Sequence, residues 1–561
     1  MTENGRMSRV LTRVRHGGHV LPDGADDAAK LAATREDISV RSAVTQRTAA
    51  VGTTAFDYLF RGLADGFPAH HLPQDDVDLV VAELNELGEA MVEQPVDDAG
   101  RVSLNSPIPP IYTYWGQFVD HDLTLATDND TRISITDAAL PPVPPDQVAA
   151  VLENLRDPAL NLDSVYGDGP FAPQVAGEDA VPYDGIKLRL GRLTPVGAGA
   201  LVPPVDDMDR DLPRADDRRA LVGDGRNDEN LVVAQLHVAF LRFHNAAVDW
   251  VRANEPERIT DAEVFLRARD LTRWTYQWLV VHDYLRTVAR PDVVDRVETD
   301  DVNLLDMAHR GTYMPVEFSV AAFRFGHSMV RATYDWNRNF GRPGNNGAPD
   351  ATFVQLFQFT GGTPNAIGGF GIPTLPTNWP AEWDRMVDRD SLFPDRFARR
   401  IDTRIAPPLG EMFNAGEDPA LSETVKGLLK HLARRNLLRG YRLAAPTGQA
   451  VATALGVEPL TRAELERGSS DRITGALERG GMVDRTPLWF YVLKEAEVRE
   501  GGRTLGEVGS RIVAETLIGQ VRQDPTSYVH RSGWGPAQGV RLRSGEPVRT
   551  IADFLRFAGV L

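Results

Sequence analysis

The stretch that most constrains the fold of this chain is residues 111–125, IYTYWGQFVDHDLTL. Two prolines stand directly before it, at a position where a helix can begin. In a helix, Gln117, Asp120 and His121 lie at positions i, i+3 and i+4, so they share one face. Asp122 is rotated from Gln117 by about 140°, so its side chain points elsewhere. The stretch therefore predicts a helix that carries three polar side chains together among aromatic and aliphatic residues.

Polar groups on such an apolar helix are costly to bury unless each has a partner. One interpretation is that His121 is a core histidine whose neighbours satisfy its hydrogen bonds. The other is that His121 and Gln117 face a small oxygen-containing substrate, while Asp120 and Asp122 are committed to two different partners. This helix alone does not decide between the two, and the rest of the chain is needed.

The composition excludes several classes of function. The chain has 79 acidic and 61 basic residues, a net charge of −18, which argues against nucleic acid or an anionic membrane as a partner. It has no cysteine, so disulfides, thiolate metal sites and cysteine nucleophiles are excluded. No apolar run reaches the roughly 18 residues of a membrane span. The composition leaves the oligomeric state open.

We expect two parts along the chain. Residues 1–50 are polar and predict an N-terminal arm that is partly flexible. The arm holds no apolar core of signal-peptide length, so we expect a cytoplasmic protein, with leaderless secretion as the alternative. Residues 51–561 predict one mainly α domain with long loops and little β structure. Besides the central stretch, helices are predicted at residues 56–66, 77–92, 224–251, 261–286, 291–302, 314–334, 421–443, 461–467, 488–500 and 506–520.

The loop at residues 156–170, RDPALNLDSVYGDGP, is rich in oxygen ligands at alternate positions. In an extended, curling loop such residues converge on one side, and their oxygens suit a hard cation such as calcium. The alternative is that these residues only make turns, as Asp and Asn in loops usually do. The candidate calcium ligands are Asp157, the carbonyl of Ala159, Asn161, Asp163 and, from the central helix, Asp122.

Two further positions combine charge or imidazole with an apolar helix. Arg226 and Glu229 stand three residues apart at the start of residues 224–251, which are apolar nearly all round. They form either a capping cluster, with Asn227 or Asp228 as the cap, or a charged pair that lines a pocket. His327 shares an apolar face within residues 314–334 and is by itself more typical of a core residue than of a ligand.

Five motifs occur in a fixed order between residues 110 and 445: WGQFVDHD, the Asp/Asn loop ending VYG, RNDE, FRFGH and RNLLRG. This ordered set resembles the animal-type haem peroxidases of the peroxidase–cyclooxygenase superfamily, in a bacterial branch. The resemblance implies a helical peroxidase fold and haem b. It assigns His121 as the distal histidine, Gln117 as the distal glutamine, Arg226 as the distal arginine, His327 as the proximal iron ligand, Asn436 as its hydrogen-bond partner and Arg439 as the arginine near a haem propionate.

The resemblance also implies covalent and cation chemistry. Asp120 and Glu229 match the carboxylates that form ester bonds to haem methyls in members with covalently attached haem. Asp122 and the loop at residues 156–170 match the calcium site beside the distal helix. Asn230 stands where members with a sulfonium link have Met, so we expect no such link.

The implied activity is reduction of hydrogen peroxide with oxidation of a halide, thiocyanate or small aromatic donor, which suits a response to oxidative stress. A neutral imidazole can take a proton from peroxide and return it to the departing oxygen, while an arginine stabilises the charge that develops there. One alternative is a fatty-acid dioxygenase of the same superfamily, but cyclooxygenase-like members carry a radical-forming Tyr where this chain has Arg324. The other alternative is a non-catalytic haem-binding protein, which has no need of a complete His, Gln and Arg set.

Overall fold

The structure is a computed structural model that describes residues 12–14, 18–20, 54–94, 104–125, 133–171, 180–195, 207–299, 304–340, 351–361, 373–413, 415 and 421–561. The expected N-terminal arm therefore lies outside the described residues, except for two short paired strands, β1 (Thr12–Val14) and β2 (Gly18–Val20).

Helices dominate the described residues, and the predicted mainly α fold is confirmed. The α-helices are α1 (Arg61–Asp65), α2 (Val77–Ala90), α3 (Ile111–Leu123), α4 (Pro145–Val151), α5 (Asp163–Tyr166), α6 (Leu231–Asn254), α7 (Asp261–Leu279), α8 (Leu285–Val288), α9 (Pro291–Thr299), α10 (Met307–Arg310), α11 (Val316–Val320), α12 (Asp384–Val387), α13 (Glu423–Lys430), α14 (Leu432–Arg442), α15 (Gly448–Ala454), α16 (Arg462–Glu466), α17 (Asp471–Arg479), α18 (Leu488–Glu500), α19 (Glu507–Gln523) and α20 (Ile551–Phe557).

Short helical turns and strands join these helices. The turns that matter for the site are the 3-10 segments Gly225–Asp228, here the arginine turn, and Ala322–His327, here the histidine turn. The other strands are β3 (Thr54–Asp57), β4 (Glu153–Asn154), β5 (Tyr183–Asp184), β6 (Lys187–Leu188), β7 (Tyr313–Pro315), β8 (Thr333–Tyr334) and β9 (Ala351–Thr352). β3 pairs antiparallel with β4 and parallel with β7, and the other described strands pair two by two.

The central helix α3 lies in the core, and 11 of its 13 residues are buried. Its aromatic face packs on α6, where Phe118 stacks on Phe240 with ring centroids 4.3 Å apart. Helix α6 is long and apolar enough to cross a membrane, but 83% of its most apolar window is buried inside the fold. The two helices therefore form the apolar frame against which the polar groups of α3 are placed.

The largest difference from the sequence-based helices is at residues 314–334. The predicted long helix is wrong: β7, α11, the histidine turn and β8 occupy this region. Pro315 lacks a backbone N–H, and Ala321 has φ −132° and ψ −78°, so a continuous helix is broken at both ends of α11. The apolar pattern of residues 314–334 indicates that they are buried, and short helices and strands can be buried in the same way as a long helix.

Smaller differences follow from caps and pairing. The helix predicted at 56–66 begins as strand β3, and the helix predicted at 421–443 is split at His431, which has φ −105° and ψ 100°. Helix α20 was not predicted. Asp211 lies in a densely charged stretch of the sequence, yet it is buried beside Arg214, whose Nε donates to it at 2.9 Å.

Gly116 lets α3 approach the segment that carries Tyr284. A Cβ at Gly116 would lie 2.4 Å from the Tyr284 hydroxyl. Tyr284 is the last residue of the π-helical turn Val280–Tyr284. Gly116→Ala should therefore push the two segments apart and lower the free energy of unfolding by about 1–3 kcal/mol, as overpacking does. Chemical denaturation measures this change.

Gly440, inside α14, provides the matched control because a Cβ there would meet nothing within 4 Å. Gly440→Ala should be neutral or stabilise the fold by up to about 1 kcal/mol, since Ala favours a helix over Gly. Equal losses in both variants would mean that the close approach at Gly116 is not what limits that position.

Candidate active site

One cavity brings the two histidines of the sequence analysis together. His121, from α3, and His327, from the histidine turn, both line it, and its water-accessible volume is about 150 Å³. Aromatic and aliphatic side chains make up much of the wall. Polar lining is added by Gln117, Asp120, Arg226, Asn230, Arg324 and Arg435.

His121 is held as a neutral imidazole. Its side chain is buried, and its Nδ1 lies 2.9 Å from Oδ1 of Asn227 in the arginine turn. Burial, followed by the nearby Arg226 guanidinium, lowers the pKa of His121 from its usual value. Nδ1 is thus engaged on the side of Asn227, which leaves Nε2 for the cavity.

Gln117 is fixed from two sides by the start of α6. Its Nε2 donates to Glu229 Oε2 at 3.4 Å, and its Oε1 accepts from Asn230 Nδ2 at 3.1 Å. The structure thus places Gln117 in contact with both Glu229 and Asn230. Asp120 lines the cavity one turn further along α3, where its Oδ1 accepts from the Thr124 hydroxyl at 3.1 Å.

Arg226 is immobilised by a carboxylate and by the end of α3. Its Nε and Nη2 both donate to Asp224, the Nη2 bond being 2.7 Å long. Nη2 also donates to the backbone oxygens of His121 and Thr124 at 3.0 and 2.6 Å. The guanidinium therefore ties the arginine turn to the last turn of α3, directly behind His121.

The expected caps at this point are wrong. Asn230, rather than Asn227 or Asp228, caps α6 by accepting from the Val233 N–H at 3.1 Å. Asp224 caps the arginine turn by accepting from the Arg226 N–H at 2.9 Å. Asp228 is bound by Arg214 instead, which frees Asn227 for contact with His121.

His327 and Asn436 lie together, as the sequence analysis expects, but the amide is turned. Asn436 Nδ2 lies 2.8 Å from His327 Nδ1, and Asn436 Oδ1 accepts from Arg324 Nη1 at 2.7 Å. The amide therefore places its nitrogen, rather than its oxygen, against the imidazole. The cause is Arg324, which takes the amide oxygen.

Arginines of α14 reach the cavity at a different position from the expected one. Arg439 is buried and donates from Nη1 to the Ile133 oxygen at 2.7 Å, and it does not line the cavity. Arg435, one turn earlier on the same helix, does line it. Sequence reasoning missed Arg435, although its i, i+4 spacing from Arg439 was a signal.

The proposed calcium ligands lie near one another, since burial and then the nearby Asp163 carboxylate raise the pKa of both Asp122 and Asp157, but protein groups contact each of the five. Asp163 Oδ1 lies 2.9 Å from Nη1 of Arg156, whose Nη2 binds Asp224 at 2.6 Å. The other groups have protein partners: Asp122 accepts from the Leu162 N–H and the Ser164 hydroxyl, Asp157 accepts from Asn161 Nδ2, Asn161 Oδ1 accepts from the Asp163 N–H, and the Ala159 oxygen accepts from Gln277.

No cluster of three or more acidic or histidine side chains suited to a metal ion occurs in the described part of the chain. A guanidinium in contact with Asp163 repels a divalent cation at the same carboxylate, so the loop as it stands does not fit calcium. Arg156, which sequence reasoning passed over, supplies positive charge at this place instead.

Arg156→Gln should destabilise the fold, because it leaves Asp163 and Asp224 with less positive charge in a buried place. We expect a loss of about 3–5 kcal/mol in the free energy of unfolding, the usual cost of breaking a buried ion pair. Arg189→Gln is the matched control: Arg189 is half exposed and pairs with Asp184 on the surface, so its loss should cost about 1 kcal/mol or less.

Thermal melting, which also measures the loss of stability in Arg156→Gln, tests whether calcium is bound. Chelation with EGTA should leave the melting temperature of the unmutated protein unchanged. A lower melting temperature that added calcium restores would show that the loop holds the ion after all.

Comparisons with known proteins relate this chain to haem peroxidases. The animal haem peroxidase family model matches residues 185–360, a range that holds Arg226 and His327 but not His121. A peroxidase-like protein of Margaritifera margaritifera is 27% identical over 274 residues, which is 42% of this chain and 33% of that protein. Eosinophil peroxidase of Homo sapiens is 26% identical over 304 residues, 45% of this chain and 39% of that protein. The matches thus span little more than a third of these two relatives.

Solved structures show the same fold at lower identity. Peroxidase A from Dictyostelium discoideum aligns with a TM-score of 0.52 and 16% identity over 85% of this chain and 88% of that one. A fatty acid alpha-dioxygenase of Arabidopsis thaliana aligns with a TM-score of 0.50 and 13% identity over 90% and 82%. The family model, the relatives and the shared fold together support the peroxidase–cyclooxygenase superfamily, which includes the animal haem peroxidases, for this chain.

Proposed function

We propose that this protein is a haem peroxidase that reduces hydrogen peroxide and oxidises a halide, thiocyanate or small aromatic donor. The observation that carries the proposal is the cavity that His121 and His327 line from two separate elements, with Arg226 beside His121. A cavity with an imidazole on each of two walls suits a planar cofactor whose metal is bound by one imidazole and open toward the other.

The residues present fit haem. His327 would hold the iron, and the apolar wall, including Phe323, Phe353 and Leu356, suits a flat hydrophobic ring. Arg435 on the cavity wall suits a haem propionate. The buried Arg439, one turn away, suits a propionate that extends past the wall. When bound, haem supplies the electrons that cleave the peroxide O–O bond and takes them back from the donor.

His121 moves the proton. As a neutral base it accepts the proton of hydrogen peroxide at Nε2 and then returns it to the departing oxygen, which leaves as water. A pKa below the usual value for histidine keeps the imidazole unprotonated near neutral pH. The site would work poorly in acid, where His121 is charged before peroxide arrives.

Arg226 and Gln117 hold the site in place around that proton transfer. The guanidinium is fixed by Asp224 and by two backbone oxygens, so its positive charge needs no reorganisation when negative charge develops on the departing oxygen. Gln117 is fixed by Glu229 and Asn230, and its amide orients a small polar molecule beside His121.

The cavity wall supports this donor class. Arg226 favours a small anion, while Tyr114 and Tyr284 favour a small aromatic molecule. Two electrons from one halide or thiocyanate, or one from each of two aromatic molecules, balance the reduction of one peroxide to two waters.

A fatty-acid dioxygenase is the second candidate, because the fold also resembles the Arabidopsis dioxygenase. Against it, the position three residues before His327 is Arg324, which is bound to Asn436. Oxygen uptake with a long-chain fatty acid and no peroxide would favour the dioxygenase over the peroxidase. Haem binding without turnover of peroxide would favour a haem-binding protein.

The proposal is tested on haem-loaded protein by rapid mixing with hydrogen peroxide. His121→Leu should keep haem bound but slow the reaction with peroxide by about 10²–10⁴-fold, the usual contribution of a general acid–base group. His327→Ala should lose haem or change its visible spectrum, because the axial imidazole is gone.

His244→Leu is the matched control for His121→Leu. His244 is equally buried, but it binds Tyr166 and the Ile186 oxygen away from the cavity. It should react with peroxide like the unmutated protein. A His121→Leu variant that reacts at the same rate as this control would remove His121 from the chemistry.

We also propose ester bonds from Asp120 and Glu229 to haem methyl groups. Each bond joins a carboxylic acid to a methyl carbon, and the two hydrogens removed reduce one hydrogen peroxide to two waters. Asp120 lines the cavity, whereas Glu229 stands behind Gln117, so the bond to Asp120 should form first.

Acidic organic solvent separates free haem from linked haem after peroxide treatment. We expect the unmutated protein to retain haem through this extraction and Asp120→Asn to retain much less. Complete extraction from the unmutated protein would show that no ester forms.

A further inference from the structure

We propose that Asn227 and His237 are positioning residues that set which ring nitrogen of His121 carries the proton. The proposal rests on the proposed function, because a base with the wrong tautomer cannot take a proton from peroxide. It concerns three buried side chains that run from the cavity wall into the core: His121 on α3, Asn227 in the arginine turn and His237 on α6.

The three side chains form one line of hydrogen bonds. His121 Nδ1 lies 2.9 Å from Asn227 Oδ1, and Asn227 Nδ2 lies 3.0 Å from His237 Nδ1. Asn227 and His237 are fully buried, and His121 is 3% exposed. Both bonds are direct contacts between buried side chains, so in each of them a donor has to face an acceptor.

The donor and acceptor roles along this line are coupled. An amide has one donating and one accepting end, so the two ends of Asn227 impose opposite roles on their partners. Asn227 Nδ2 faces His237, so Nδ1 of His237 must accept a hydrogen bond. Asn227 Oδ1 faces His121, so Nδ1 of His121 must carry a proton and donate it. His121 Nε2 is then unprotonated and available as the base.

The reverse arrangement would disable the base. If His237 carried its proton on Nδ1, the amide would turn and present Nδ2 to His121, whose Nδ1 would have to accept. His121 would then carry its proton on Nε2, the nitrogen that must take the proton of peroxide. The tautomer of a core histidine that does not line the cavity thus decides whether the catalytic histidine is a base.

The surroundings of His237 keep it neutral and fixed. It packs against Phe118, with ring centroids 6.1 Å apart, and burial lowers the pKa of His237 to about 3. Among the described residues its Nε2 has no hydrogen-bond partner. A neutral ring whose Nδ1 contacts Asn227 serves as an anchor for the amide.

The arrangement also helps His121 when it is protonated. The imidazolium that forms on proton transfer donates from Nδ1 to Asn227 Oδ1, and a hydrogen bond with a charged donor is stronger than a neutral one. The charged groups that face His121 are Arg226, Asp224, Asp120 and Glu229, and all four are unchanged in the variants proposed below.

The tautomer itself is the first test. The full chain is labelled with ¹⁵N-histidine, haem is held in its diamagnetic ferrous carbon monoxide form, and the ring of His121 is assigned by its loss in His121→Leu. We expect the ¹⁵N shifts of a protonated Nδ1 and an unprotonated Nε2. A protonated Nε2 in the neutral ring would overturn the proposal, whatever the protein does with peroxide.

His237→Leu tests the anchor. Without the acceptor on His237, the amide is free to turn, so a fraction of His121 should shift its proton to Nε2 and the reaction with peroxide should slow by about tenfold or more. The later reaction with the donor should be unchanged. His244→Leu, seven residues further along α6, is the matched control, and an equal response of the two variants would overturn the proposal.

Asn227→Asp keeps the shape and tests the amide without a cavity in the core. A carboxylate accepts from both rings and places negative charge next to His121, so the pKa of His121 should rise and the acid limb of the pH–rate profile should move to higher pH. An unchanged acid limb would overturn the role of residue 227. If the protein does not react with peroxide at all but shows the expected tautomer, the proposed function fails and the hydrogen-bond assignment stands.

Discussion

The buried carboxylate of Asp224 is the interaction on which the site depends. Burial alone would raise its pKa, but Arg226 and Arg156 hold the pKa well below its usual range, so the group is charged inside the protein. One carboxylate thereby binds two arginines that come from different parts of the chain. Removing any one charge leaves the others without compensation in a place from which water is excluded, which is the costly case for buried ions.

Asp224 connects to two other parts of the structure, one through each of its two arginines. Through Arg226 it reaches the backbone oxygens at the end of α3, so the helix that carries His121 is held from behind. Through Arg156 it reaches Asp163, at the start of α5, and so ties the loop after α4 to the same centre. A chain in which an arginine occupies this position already has the positive charge that would otherwise come from a bound cation.

The apolar periodicity of the sequence predicted several of the helices, and the motifs predicted candidate site residues. Neither predicted which side chains contact each other. Helix α18 falls at the predicted residues, and α2 differs only at its last turn. His121, Gln117, Arg226 and His327 line one cavity, while the roles assigned to them stay predictions. His237 and Arg156 were missed because a buried histidine and an arginine in a loop look ordinary until their partners, far away in sequence, are known. The contact between Asp163 and Arg156 cannot be read from their spacing either, because Arg156 is also bound by Asp224, which is far away in sequence.

The two histidines of the cavity show why contacts rather than residue types decide the chemistry. Each faces an asparagine amide through Nδ1, yet the amides point in opposite directions because each has a different second partner. His237 takes the amino group of Asn227, so the oxygen faces His121 and its Nε2 stays unprotonated. Arg324 takes the oxygen of Asn436, so the amino group faces His327. In the proposed haem site, His327 would hold iron through Nε2 and carry its proton on Nδ1, so an acceptor would be needed beside Nδ1, and rotation of the Asn436 amide would provide one. The hydrogen bonds around His121 are therefore already set in the protein alone, whereas those around His327 would change when the proposed cofactor binds.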